Sequence, residues 1–255
     1  MISPSMEPIE NHLLGMLPAA DQARVFPMLE PVTLTRDDVL CQSGDCFEYV
    51  YFPTDLVVSL LYSMEDGGSA EIAVVGNDGM VGIALFMGGG STTTCSVVHS
   101  AGHGFRLNSK RFEAEIERHG ALHNLMLRYS QALITQMAQT AVCNRHHTID
   151  QQLCRWLLLS LDRLSGNEIL ATQELIANML GVRRESVTEA AGRLHNLGVI
   201  EYRRGHITVL DRPRLETLSC ECYEVVKRET ERLLPWTPLA RCDSRLWQRD
   251  DKGST

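Results

Sequence analysis

The spacing of apolar residues changes character several times along this chain. Met1 to Glu10 shows no period and reads as a loose leader. Asn11 to Leu29 carries short helical patterns, broken at Pro18 and Pro27, where the ring removes a backbone donor. From Pro31 to Leu107 the pattern breaks into short runs rich in Val, Ile, Leu, Thr and Tyr. These runs are Val32–Leu34, Val39–Cys41, Tyr49–Phe52, Leu56–Met64, Ala70–Val75, Met80–Phe86, Cys95–His99 and His103–Leu107. Turn sequences such as Ser43-Gly44-Asp45, Asp66-Gly67-Gly68 and Gly88-Gly89-Gly90 stand between them. Short strands punctuated in this way predict an all-β roll or barrel.

A helical period returns at Ser109 to Arg118, with Phe112 and Ile116 as its stripe. A longer pattern follows from Ala121 to His147, with no Gly or Pro inside. Its residues Leu122, Met126, Tyr129, Leu133, Met137 and Thr140 recur at alternating three- and four-residue steps. Such a seam keeps one stripe turned toward a partner helix, so the expectation is a dimer helix. On that assignment Leu125, Ile134, Ala138 and Val142 are left to pack on the β unit. One broad buried face within a monomer is the alternative. Asp150 to Leu164 predicts a further helix, closed by Ser165-Gly166-Asn167.

Thr172 to Leu194 then reads as two short helices around Gly181-Val182. Leu175, Ile176, Met179 and Leu180 share one face of the first; Val187, Ala190, Ala191 and Leu194 share one face of the second. Thr172 is a suitable N-cap. Gly181 suits the left-handed residue that ends a helix. Small Ala177 permits a close, steep crossing. This is helix-turn-helix grammar, although a helical hairpin in an ordinary core shares the pattern. Val199–Arg203 and His206–Leu210, joined at Arg204-Gly205, predict a β-hairpin directly afterwards, in the position of a wing. Arg214 to Leu234 predicts a last helix, and from Pro235 onward a tail without period suggests disorder.

Charge sharpens this picture. Between Arg183 and Arg214 lie seven Arg and four acids, a local +3 on a chain of net charge -8, which leaves -11 elsewhere. A positive island on an acidic protein suits phosphate contacts. At 255 residues, 44% hydrophobic and 22% charged, the composition is that of a globular protein. No apolar run is long enough to span a membrane, and no secretory signal opens the chain. The expected location is the cytoplasm, with the eight cysteines reduced.

The order of these parts resembles the Crp/Fnr family of bacterial transcription regulators over roughly residues 12 to 234. Thr172-Gln-Glu-Leu-Ile-Ala-Asn-Met-Leu-Gly-Val-Arg-Arg-Glu-Ser-Val carries the most specific likeness, followed by Leu197-Gly198-Val199-Ile200, Gly205 and Ile207. Val50-Tyr51-Phe52-Pro53, Val74-Val75-Gly76, Cys143-Asn144-Arg145 and Cys220-Glu221-Cys222-Tyr223 look like one large subgroup of that family. The resemblance implies an α+β chain. It would comprise a cyclic-nucleotide-binding-like β-roll of double-stranded jelly-roll form (12–118), a long dimerisation helix (119–148), a winged helix-turn-helix (149–234) and a tail (235–255). It further implies a homodimer that binds a partly palindromic site in double-stranded DNA and contacts RNA polymerase. The alternative is a ligand-binding or cysteine-based redox module whose winged domain contacts protein instead of DNA.

On this reading the second helix enters the major groove with its first turn at the base edges. Arg184 is placed for guanine O6 and N7, and Glu185 for cytosine N4. Thr188 and Glu189 follow one turn on; the cyclic-AMP receptor branch has an Arg where Glu189 stands, so a different half-site is expected. Arg183 replaces the usual small N-cap and adds a phosphate contact. Thr172, Arg193, Arg203, Arg204 and His206 are candidates for backbone contacts.

The roll departs from cyclic-nucleotide binders. Where those have a Gly-Glu pair, this chain has Gly82 and Ile83, and Ile83 cannot accept from a ribose hydroxyl. Where those have an Arg, Thr92, Thr93 and Thr94 supply no cation, leaving a phosphate charge uncompensated. Cyclic AMP bound in the usual mode is therefore not expected. Gln139 and Thr140 stand where relatives contact a ligand, so an effector of unknown identity could touch Gly82, Ile83, Thr93, Thr94, Gln139 and Thr140; a roll that binds nothing is the other reading. No cysteine precedes Cys41, which argues against an iron–sulfur cluster. Cys220 and Cys222 fall within a predicted helix, where i and i+2 point apart, so no metal site is expected without local unwinding. His146-His147 suit a helix C-terminus as cations. No nucleophile–base pair or phosphate loop appears, so the chain reads as a non-enzyme.

Overall fold

The computed structural model describes residues 6–65 and 68–236. Most of the expected tail, the first five residues and the Asp66-Gly67 turn lie outside the described residues.

Short helices α1 (His12–Gly15) and α2 (Ala19–Val25) lead into the roll. Asn11, fully buried, fastens them: its amide nitrogen donates to Pro53 O and Gly79 O at 2.8 and 2.9 Å, and its oxygen caps Leu13 and Leu14. The strands are β1 (Glu30–Leu34), β2 (Val39–Cys41), β3 (Tyr49–Pro53), β4 (Val57–Ser63), β5 (Ser69–Val75), β6 (Cys95–Ser100) and β7 (Gly102–Asn108). They form two antiparallel sheets, ordered β1-β7-β3 and β2-β6-β4-β5. Phe52 faces Phe105 across the first sheet and Leu60 faces Ser96 across the second. Antiparallel sheets of alternating burial close over one apolar interior.

One expected strand is absent. Met80 to Phe86 bridges Tyr51 only at Val81, then turns at Gly82 (φ 104) into the short helix α3 (Ile83–Phe86). Glycine accepts that left-handed angle at little cost, and the apolar run is then spent on a helical turn against the roll.

Helix α4 (Ser109–Ile116) leads to α5 (Ala121–His146), whose 26 residues contain no helix breaker and whose last turn carries Arg145, a cation suited to the negative end of the dipole. The faces of α5 depart from the sequence expectation, which holds at Leu125 but not along the rest of either stripe. Leu122, Met126, Tyr129 and Leu133 are buried in the roll's own core together with Leu125 and Val98, and Met137 packs on its edge. The Tyr129 hydroxyl donates to Met80 O at 2.8 Å. Thr140 is buried as well. These positions cannot also form a seam with a second chain. Leu127, Ile134 and Val142 are 53%, 51% and 46% exposed instead. The period alone could not choose between the faces, because both stripes repeat at three and four.

A Thr148–Gln151 capping box starts α6 (Ile149–Leu161). Every α6 residue from Gln152 to Leu161 is buried, so this helix lies sandwiched between the two lobes. The second core gathers Leu157, Leu158, Ile176, Val187, Leu194, Ile207 and Leu215, joined by Val57 and Val74 from the roll. Around it stand β8 (Glu168–Leu170), α7 (Gln173–Leu180), α8 (Arg184–Asn196), β9 (Ile200–Arg203) and β10 (His206–Val209). The three strands pair antiparallel in the order β8-β10-β9, so the wing hairpin carries a third strand that its sequence did not announce.

The last expected helix is broken in two, α9 (Arg212–Leu218) and α10 (Glu221–Leu233). Asp211 caps α9 with Pro213 in its first turn, and the chain straightens at Ser219 and Cys220 (ψ 163 and 164). Cys220 is therefore outside α10, as its N-cap.

Candidate nucleic-acid interface

Local chemistry fixes the turn between α7 and α8. The Thr172 hydroxyl accepts from Leu175 N–H at 3.1 Å, capping α7. At its other end Gly181 takes φ 65, a left-handed value that suits glycine. Val182 N–H reaches back to Ala177 O at 3.0 Å, six residues counted inclusively, as in a Schellman close. Ala177 is buried, so the small residue sits where the two helices approach.

Helix α8 turns Val187, Ala190, Ala191 and Leu194 into the core and leaves Arg184, Glu185, Thr188 and Glu189 exposed. Arg183 is its N-cap and makes no side-chain cap bond, so the first turn carries open N–H groups and a cation at its outer end. Thr188 Oγ1 lies 2.7 Å from Gln173 Oε1 and 3.0 Å from Arg184 O, tying the middle of α8 to the start of α7. Gln173 has no place in the sequence reading, which had no signal for a contact across the turn. The wing turns at Arg204 (φ 48) and Gly205 (φ 85), the double left-handed geometry of a tight hairpin.

Not every cation of the positive island is free. Arg193 is paired with Asp150 and lies 3.8 Å from Glu189. Arg203 pairs with Glu201 at 2.7 Å. Arg212 is held by Asp162 and Glu216, and Arg214 donates to Leu197 O at 3.0 Å. Among the described residues the side chains of Arg183, Arg184 and Arg204 have no such partner, and all three are exposed. His206 is exposed beside them at the start of β10. The island thus divides into arginines paired within the domain and three unpaired ones, at the first turn of α8 and the hairpin turn.

The first-turn geometry, the exposed outer face of α8 and the adjacent hairpin coincide with a match of residues 151–218 to the Crp-like helix-turn-helix domain. Residues 151–218 thus form a Crp-like helix-turn-helix domain. The chain's fold agrees with this over both lobes. A structure from Eubacterium rectale assigned to the Crp/Fnr regulators superposes with a TM-score of 0.63 at 18% identity, covering 81% of this chain and 96% of that one. FixK2 from Bradyrhizobium japonicum gives 0.63 at 16%, covering 75% and 98%. TTHB099, a CRP-family transcriptional regulator from Thermus thermophilus, gives 0.61 at 17%, covering 74% and 96%. A comparison with curated proteins finds no match. No helix among the described residues is long and apolar enough to cross a membrane.

The residues considered for an effector are not gathered at one place. Gly82 and Ile83 sit at the head of α3, Thr93 is exposed, and Thr94 Oγ1 is engaged with Thr92 Oγ1 at 2.8 Å. Gln139 is half-buried on α5. Thr140 alone lines a cleft between the lobes, together with Glu71, Gln136, Asn144, Arg155 and Trp156. Arg155 Nη2 donates to Thr140 Oγ1 at 2.6 Å, and Gln136 closes both polar groups of Val74. Burial pushes the Glu71 carboxyl up to about 7, against the opposing Ser59 hydroxyl and the fields of Arg155 and Arg163.

The sequence reading also left the cysteines apart. The structure brings Cys143 and His147, at the end of α5, against Cys220 and Cys222, at the start of α10. Cys143 donates toward Cys220 across 3.5 Å, which favours the Cys220 thiolate and pulls it down to about 5 while pushing Cys143 up. The unwinding that the sequence reading required for these cysteines to converge is present, in the straight segment between α9 and α10.

Proposed function

We propose that the chain acts as a homodimer that reads a partly palindromic duplex with the outer face of α8. One observation carries the reading. Arg184 and Glu185 open α8 side by side, exposed and without side-chain partners among the described residues, on a helix whose opposite face is locked in a core. A guanidinium can grip guanine N7 and O6 in bidentate fashion, and a carboxylate can accept from cytosine N4. Arg183 and Arg204 contribute phosphate contacts on either side, fixing orientation without reading sequence. Arg193 and Arg203 join them only when their acidic partners let go.

The dimer rests on a seam other than the one first expected. Leu127, Ile134 and Val142, with Ala138 between, are exposed along α5 at steps of seven, four and four. A stripe of that kind suits a parallel partner helix. Two such chains place two α8 helices for half-sites about one helical turn, ~34 Å, apart. Control passes through the cleft at Thr140, where the roll, α5, α6 and α7 meet, and its effector is not cyclic AMP held in the usual manner. Contact with RNA polymerase follows from the Crp/Fnr resemblance.

Titrating the duplex upstream of the protein's own gene at several salt concentrations tests the class of partner. Counterion release predicts a steep linear fall of log affinity with log salt. A flat dependence would instead indicate a winged domain that docks on protein.

A further inference from the structure

Four side chains from two distant stretches converge where the end of α5 meets the start of α10. The ligating atoms of Cys143, His147, Cys220 and Cys222 all lie within 4.8 Å of one another. Cys143 Sγ is 3.5 Å from Cys220 Sγ, and Cys222 Sγ is 3.5 Å from His147 Nδ1. Zinc–sulfur bonds of about 2.3 Å in a tetrahedron set neighbouring sulfurs about 3.8 Å apart, so these separations are those of donors around one ion. The three thiols are 5% exposed or less, and together they form a small cluster separate from both main cores.

We propose that Cys143, His147, Cys220 and Cys222 bind one zinc ion, as a closed structural site clamping the end of α5 to the start of α10. Three thiolates and one imidazole are a soft, tetrahedral donor set, which selects zinc over hard cations. Donors so close enclose a single ion. The His147 ring is oriented for the role: Nδ1 faces the sulfurs, while Nε2 lies 3.3 Å from Glu221 Oε2. A carboxylate on the far nitrogen fixes the tautomer and raises the basicity of a ligating histidine. The backbone contributes from both sides. A cation at Cys143 and His147 meets the negative end of α5. The Cys220 and Cys222 thiolates sit at the positive end of α10. Three thiolates around a divalent ion leave one net negative charge, and buried Arg155 supplies a positive field at Cys143 and Cys222. Gln152, buried beside the cluster, donates to His147 O at 3.0 Å and holds the end of α5 in place.

The site spans the joint where the long helix passes into α6 and the DNA-binding lobe. It therefore fixes how α10 and α5 lie against each other, which none of the sensor or reading residues does.

Elemental analysis and zinc-edge X-ray absorption on the full-length protein, purified without chelator, test this. The expected result is one zinc per chain with a shell of three sulfurs and one nitrogen. Replacing zinc by cobalt should give thiolate charge-transfer bands and the d–d absorption of tetrahedral cobalt. Cys222→Ser should abolish that spectrum, exposed Cys46→Ser should keep it, and Glu221→Gln should weaken zinc affinity about tenfold. Metal-free protein with no cobalt spectrum would overturn the proposal. So would a shell of oxygens and nitrogens only, or a native preparation carrying a Cys143–Cys220 disulfide. The wild-type absorption data decide the matter even if a cysteine variant fails to fold.

Discussion

Arg193 grips Asp150 with two nitrogens, Nε to Oδ2 at 2.8 Å and Nη2 to Oδ1 at 2.6 Å, and so ties the back of α8 to the first turn of α6. The pair has two consequences. It links α8 to α6, and it neutralises one cation of the island that remains about half-exposed. Asp150→Asn should release that cation. We expect the slope of log affinity against log salt to steepen by about one on any duplex, as for one added phosphate contact. Stability should change by no more than about 1 kcal/mol, because both side chains are partly exposed. An unchanged slope would show that Arg193 reaches no phosphate and serves the domain alone.

The proposed dimer seam gives a second expectation. Ile134 is 51% exposed on α5, so Ile134→Glu should leave the protomer folded, with unfolding stability within about 0.5 kcal/mol of wild type. Placed opposite its own copy, the new carboxylate should repel and bury without a partner. Sedimentation equilibrium should find monomers at concentrations where wild type is dimeric. A folded Ile134→Glu protein that remains dimeric would put the interface elsewhere.

Glu71 makes stability depend on pH. Its carboxyl is raised from 4.5 to about 7 by burial, so the folded state holds a proton that the unfolded chain gives up. The stabilisation from that proton is complete below the ordinary carboxylate range and is lost as pH rises through about 7. Glu71→Gln keeps the shape and removes the titration. Relative to wild type, it should gain about 3 kcal/mol between about pH 5 and about pH 9 in denaturant unfolding. Parallel curves for the two proteins would mean that the carboxyl titrates normally.

Much of this architecture was legible from period and punctuation. Seven of the eight expected roll strands formed within a few residues of their runs, because the turns between them carry Gly, Asp and Asn. Thr172 and Gly181 framed α7 because caps are local chemistry, written in the residues that make them. What was hidden is of another kind. Met80–Phe86 reads as a strand until Gly82 takes a left-handed angle. Apart from Leu125, the inward and outward stripes of α5 were misassigned because both are apolar and only the roll decides which is covered. The pairing of Arg193 with Asp150 joins residues 43 apart, and the meeting of Cys143 with Cys220 joins residues 77 apart. No spacing rule reaches over such distances. Cys220 was placed inside a helix because the break between α9 and α10 carries no Gly or Pro at the straightened residues.

The most direct test is fluorescence anisotropy with the protein's own upstream duplex and a scrambled duplex of equal length, using wild type and Arg184→Ala at one salt concentration. The variant should lose about 1–3 kcal/mol on the first duplex, roughly 5- to 150-fold in affinity, and little on the second. Equal losses on both duplexes, or no loss on either, would contradict base reading by the first turn of α8.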